Sequence, residues 1–289
     1  MYTTLIQPAE LAALDPGSVR IFDARHDLAQ PEAGREAWTR SRIPGAVFLH
    51  ADDDLADHSI QGGGRHPLPD RGAFHRRMVE AGVGEGQQVV VYDAQGGMMA
   101  SRLWWMLRWI GHRPVAVLDG GLQAWQEAGL PLDDSPPAPD AGREGPAAAP
   151  LRLGESLVGK VDVNDVVGNL ERPKWVVLDA RGAPRYRGEV EPMDPVAGHI
   201  PGALNRPQTL NLQENGRFKP ADRLREEFRQ VLGDRAAEQV VHQCGSGISA
   251  CHNLLAMEHA GLVGSRLYPG SWSEWCSDPS RPVSRGDTP

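Results

Sequence analysis

The chain has 289 residues, of which 40% are hydrophobic and 24% charged. That is the balance of a globular protein, with enough length for two domains that each bury a core. A formal net charge of -8 and a pI near 5.7 exclude nucleic acid and anionic membrane as partners held by bulk charge, and leave open a small anionic substrate in a locally positive pocket.

The N-terminus, MYTTLIQPAELAALDPG, has no basic stretch followed by an apolar run, so no secretory signal is expected. The most apolar segment, 103–110, is short and carries Arg108, so no membrane span is expected. Three cysteines, Cys244, Cys251 and Cys276, are too few for a disulfide framework and fit a reducing, cytoplasmic setting.

In chain order, the elements occur twice. VRIFDA (19–24) reads as a strand ending in Asp-Ala-Arg, and RIPGAVF (42–48) as a turn. VVVYD (89–93) is a buried strand, 100–110 a buried helix apolar on nearly every side, and 115–118 a further strand running into LDGGLQAW (118–125). WVVLDA (175–180), HIPGALN (199–205), VVHQC (240–244) and LYPGSWSEW (267–275) then repeat four of these signatures in the same order, each about 150 residues later. Between the copies, 133–150 reads DDSPPAPDAGREGPAAAP, the composition of an extended linker. We therefore expect domains at 1–132 and 151–289. Strands alternating with helices, such as the amphipathic 222–232 opening on Asp222, predict an α/β fold in which each copy is a parallel sheet with helices on both faces. Ligands of such sheets sit at the carboxyl ends of the strands.

That rule directs attention to Cys244 and the run Cys244-Gly245-Ser246-Gly247-Ile248-Ser249. Two glycines let the chain turn sharply, so that successive N–H groups and the start of a helix near Ser249 form a cradle for an anion. Sulfur held there is favoured as thiolate or persulfide. A lone cysteine at a strand end is more often inert packing. Here the equivalent position of the first copy is Asp93, so one copy carries a nucleophile and the other does not.

With the Asp-Ala-Arg strand ends, the Ile-Pro-Gly-Ala turns, the Cys-Gly-Ser-Gly loop and the SWSEW ending, the chain resembles the tandem-domain rhodanese sulfurtransferases, and within them the 3-mercaptopyruvate enzymes. The resemblance implies sulfur transfer from 3-mercaptopyruvate through a Cys244 persulfide to a thiol, a thioredoxin-like dithiol or cyanide, with no metal or organic cofactor. Ser246, Asp57 and His66 match residues that relay a proton, and Arg185 matches one that grips the donor carboxylate. The loop residues Gly245, Gly247, Ile248 and Ser249 would line the donor site. Where a second carboxylate-binding arginine is usual, this chain has Met193, with Arg187 as a substitute. Thiosulfate is the alternative donor. A non-catalytic binding module is a more remote reading. A phosphatase is excluded, because Ala250 stands where a phosphate-gripping arginine is required.

Arg25 and Arg181, present in both copies, are expected to be structural. Trp104, Trp105 and Trp109 read as core, Trp272 and Trp275 as packing between the domains, Cys251 as buried and Cys276 as exposed.

Overall fold

The computed structural model describes residues 1–137 and 149–289. Of the linker expected over 133–150, residues 138–148 lie outside the described residues. The described chain forms two compact units. The first comprises Met1–Asp57, Pro69–Leu157 and Glu214–Phe218; the second comprises His58–Leu68, Val158–Gln213 and Lys219–Pro289.

The first unit holds β1 (Leu5–Ile6), β2 (Val19–Asp23), β3 (Val47–Phe48), β4 (Gln88–Tyr92) and β5 (Val115–Leu118), all parallel, in the order β1-β5-β4-β2-β3. The second holds β6 (Gly159–Lys160), β7 (Val176–Asp179), β8 (Leu204–Asn205), β9 (Val240–Gln243) and β10 (Arg266–Leu267), all parallel, in the same order, β6-β10-β9-β7-β8. The central strands are buried on both faces: β4 is an apolar run after Gln88, and β9, VVHQ, is buried at every position, His242 and Gln243 included. From β2 the chain crosses to β3 on one side, and from β4 to β5 on the other. Right-handed crossovers then place helices on opposite faces, and the order reverses between β2 and β4, and likewise between β7 and β9. Such reversals open a crevice at the carboxyl ends of the strands.

The shared motifs have shared structural work. Arg25 forks onto Asp23 (Nη2–Oδ2 2.6 Å) and donates to Ser41 O, while Tyr92 Oη donates to Asp23 at 2.7 Å. Arg181 forks onto Asp179 (Nη2–Oδ2 2.6 Å) and donates to Gly198 O. Burial works against the charge of Arg181, but Asp179 outweighs it and holds the guanidinium above its ordinary value. Each Ile-Pro-Gly-Ala closes a turn, Ala46 N–H to Ile43 O and Ala203 N–H to Ile200 O, both at 3.0 Å. Gly45 and Gly202 take φ of 75° and 81°, which the third position of a type II turn requires.

The expected helix at 100–110 spans Ala100–Trp109 and is buried throughout, Trp104, Trp105 and Trp109 included. The amphipathic helix begins one residue earlier than expected, as Ala221–Leu232; Asp222 lies in its first turn and does not cap it, because Pro220 takes the cap position. Trp272 and Trp275 belong to the second unit's own core, with Val161, Val177, Ile200 and Val241, rather than serving as packing between domains. Their indole N–H groups donate to Val196 O and Pro282 O in that same unit, which leaves them no need of an outside partner. Cys276 sits in this core too and is 6% exposed, so the expected surface thiol is buried, and burial pushes its pKa up. Cys251 is buried as expected. Among the described residues no helix is long and apolar enough to cross a membrane.

Candidate active site

Cys244 follows β9 directly and is 1% exposed. The loop after it turns at Gly247, whose φ of +80° suits glycine. A Cβ there would lie 2.3 Å from Pro269 O, so glycine is also what the close approach of the neighbouring segment demands. The Gly247 N–H donates to Cys244 Sγ at 3.1 Å. The helix Ser249–His259 then starts with no side-chain cap, so its first-turn N–H groups and the positive end of its dipole stand behind the loop.

The segment 269–273 laces this loop from the other side. Cys244 N–H donates to Ser271 Oγ (3.1 Å), Trp272 N–H to Cys244 O (3.0 Å) and Ser273 N–H to Gly245 O (2.9 Å). Ser271 has a φ of 54°, alone among the described non-glycine residues in being positive, and its hydroxyl donates to Tyr268 O. A strained residue fixed from both sides marks a place where position matters. Sequence reasoning passed over Ser271; the SWSEW run was its only signal.

Two of the expected relay residues meet in the second unit. His66 Nδ1 lies 2.7 Å from Ser246 Oγ, with both side chains buried. His66 reaches this place because 58–68, though early in the chain, belongs to the second unit. Gly64, with a φ of +82°, lets that segment pass tightly over the 270–273 turn: a Cβ would lie 2.5 Å from Gly270 O. The Arg65 N–H then donates to Ser273 Oγ at 3.0 Å. Asp57, the third expected relay residue, ends the first unit's share of this loop and is half-buried.

Arg185 is placed beside the cysteine loop. Its Nη1 and Nη2 come within 3.5 and 3.6 Å of the point where a Cβ on Gly245 would stand. Glu191 holds it at Nε (3.2 Å) and Nη2 (2.6 Å), and Asp194 accepts from Nη2 at 3.3 Å. Burial acts to raise the Glu191 pKa, but the bonds from Arg185 prevail and keep it below the ordinary glutamate value. Ile248 is buried at the helix cap and Ser249 half-buried in the first turn. Arg187 is taken up by Glu189 at 2.7 and 2.9 Å, and Met193 is 43% exposed.

Burial drives the His242 imidazole down to about 3, so it is neutral at the end of β9. Among the described residues, one group has metal-ligand spacing: His26, His50 and Asp52, in the first unit. There the backbone already engages His50: Nδ1 faces the Asp52 and Asp53 N–H groups, and Nε2 lies 3.2 Å from Pro31 O.

The arrangement of a buried cysteine, an uncapped helix start and a flanking guanidinium occurs on a duplicated fold, and both copies match a known pattern. The rhodanese-like domain matches residues 8–128 and again 162–278. The chain belongs to the rhodanese family. Among its rhodanese relatives, a Pseudomonas aeruginosa protein named "Probable 3-mercaptopyruvate sulfurtransferase" is 42% identical over 288 residues, 98% of each chain. The human 3-mercaptopyruvate sulfurtransferase is 36% identical over 264 residues, covering 89% of this chain and 84% of the human one. The crystal structure of the 3-mercaptopyruvate sulfurtransferase SseA from Escherichia coli superposes with a TM-score of 0.78 at 31% identity, over 94% of this chain and 100% of that one.

Proposed function

We propose that this rhodanese is a 3-mercaptopyruvate sulfurtransferase whose sulfur carrier is Cys244. The observation that carries the reading is the loop itself: Cys244 lies at the crevice of the sheet, with the Gly247 N–H on its sulfur and an uncapped helix behind it. A cysteine in such a cradle has donors placed to stabilise the negative charge that sulfur carries during transfer.

In the first half-reaction the Cys244 thiolate attacks the donor sulfur. The S–C bond of 3-mercaptopyruvate breaks, its electron pair leaves on carbon as the pyruvate enolate, and the enolate takes up a proton to give pyruvate. Cys244 is left as a persulfide. In the second, an acceptor thiolate or cyanide attacks the outer sulfur, the S–S bond breaks, and the Cys244 thiolate returns. The His66–Ser246 pair is suited to move the proton, and Asp57 is the third member we assign to that relay. Arg185 grips the donor carboxylate, and Gly245, Gly247, Ile248 and Ser249 shape the donor site. The acceptor is a thiol, a thioredoxin-like dithiol or cyanide, in the cytoplasm. The duplicated domains are 1–132, without a nucleophile, and 151–289, joined by 133–150.

The test is the intact-protein mass after incubation with 3-mercaptopyruvate or with thiosulfate, with Cys244→Ser in parallel. The wild type is expected to gain one sulfur atom, faster from mercaptopyruvate, and the variant none. Loading by thiosulfate alone would keep the persulfide and replace the donor. Loading of the variant would remove Cys244 from the mechanism.

A further inference from the structure

Met193 stands where a second carboxylate-binding arginine was expected, and it faces solvent. Yet a second guanidinium is present at the site, from a different part of the chain. Arg65 Nη2 lies 2.7 Å from the point that a Cβ on Gly245 would occupy, the same point that Arg185 approaches at 3.5 Å. Asp194 ties the two together, accepting from Arg65 Nη1 with one oxygen and from Arg185 Nη2 with the other.

What these arginines leave unused matters more than what they bind. Arg65 spends Nη1 on Asp194, and Arg185 spends Nε and Nη2 on Glu191 and Asp194. Arg65 Nη2 and Arg185 Nη1, the nitrogens nearest Gly245, make no hydrogen bond to any described residue. Arg65 Nε is fully buried and likewise has no partner. A buried donor without an acceptor is costly. Asp194 and Glu191 are 3% exposed and fixed, so they position the cations without quenching the donors aimed at the cysteine loop. A salt bridge serving only to pin the segment 58–68 would need Nη1 alone.

We infer that Arg65 is a specificity-determining residue of the donor site: with Arg185 it receives the carboxylate of the sulfur donor, each guanidinium giving an N–H to the anion, in place of the arginine missing at 193. This rests on the reading of mercaptopyruvate as donor to Cys244. It also accounts for Gly245, where any side chain would block the space between the two cations.

The test uses the full chain and two donors: 3-mercaptopyruvate and mercaptoacetone, which has the same thiol and keto carbon without the carboxylate. Arg65→Met keeps the aliphatic bulk and removes the charge; Arg65→Lys keeps the charge and loses the fork. In Arg65→Met we expect KM for mercaptopyruvate to rise tenfold or more with a smaller change in kcat. The ratio of kcat/KM for mercaptopyruvate to that for mercaptoacetone should fall by a similar factor, and Arg65→Lys should recover part of it. An equal loss with both donors would reduce Arg65 to a tether for the segment that carries His66, and an unchanged ratio would remove it from the donor site. Failure of the underlying reading looks different, because the wild type itself would then not load sulfur from mercaptopyruvate, and the inference would fall with it.

Discussion

The loop after β4 and the loop after β9 are built alike and differ in what occupies them. In the first unit Asp93 turns its carboxylate back into its own loop, where Oδ1 accepts from the Gln95 and Gly97 N–H groups (both 2.9 Å) and Oδ2 from those of Met99 (2.8 Å) and Ala100 (3.0 Å). Four backbone donors close on one internal anion. In the second unit the Cys244 side chain is shorter and receives one such bond, from the Gly247 N–H at 3.1 Å. One loop closes four backbone donors on its own carboxylate, whereas the other turns a single backbone donor onto a sulfur.

The largest effect that would break this contrast is on activity. Cys244→Ser should lower sulfur transfer at least a thousandfold with the unfolding transition unchanged, read by pyruvate release. Placing the nucleophile in the other loop, as Asp93→Cys together with Cys244→Ser, should not restore it. If intact mass shows sulfur loading of that double variant, the two loops are chemically equivalent and the contrast fails. Next in size, Asp93→Ala strands four backbone donors, three of them buried, and should cost about 3 kcal/mol or more, as measured by urea unfolding. A loss below about 1 kcal/mol would mean that water or a neighbour replaces the carboxylate without difficulty.

A finer comparison sets Gly247→Ala against Gly97→Ala. Both glycines have positive φ, +80° and +91°, but the new Cβ meets backbone Pro269 O at 2.3 Å in one case and the Phe218 ring at 3.2 Å in the other. The ring can shift and the carbonyl cannot, so Gly247→Ala should be the more destabilising by about 1–2 kcal/mol. The smallest effect separates the two Asp-Ala-Arg arginines. Arg181 has Glu191 at 3.4 Å in addition to its aspartate. The Glu191 pKa is depressed in the folded chain, so its contribution is present above the ordinary glutamate range and is lost as the pH falls through the lowered folded value. Glu191→Gln should therefore be less stable than the wild type near neutrality and converge with it in acid, a pattern that thermal unfolding across pH would reveal. A constant gap would show that the carboxylate charge contributes nothing.

The duplicated α/β architecture was legible because it is written in short-range terms: apolar runs for strands, Pro-Gly for the turns, Asp-Ala-Arg at the strand ends. Cys244 was legible for the same reason, since its loop is contiguous. Arg65 was not, because the sequence gives no hint that 58–68 joins the unit built from residues 90 or more positions later. An arginine expected at 193 is met in space by one at 65, and no local pattern links the two. Cys276 and the two C-terminal tryptophans were misplaced because a short polar-looking tail, SWSEWCSD, gave no sign that it folds back into a core.

The membership of the two units has a consequence for how the protein is made. Residues 58–68 belong with the later copy, and Glu214–Phe218 with the earlier one, where Phe218 N–H donates to Asp119 at 2.8 Å and Arg217 to Gln7 at 2.7 Å. A ribosome delivers the first copy long before residue 214 exists. The nascent first half therefore waits with Asp119 lacking the Phe218 N–H and with the His66 segment undocked until the later residues are made. Duplication produced two similar halves; the exchange of segments makes the last contacts of the first depend on residues from the second.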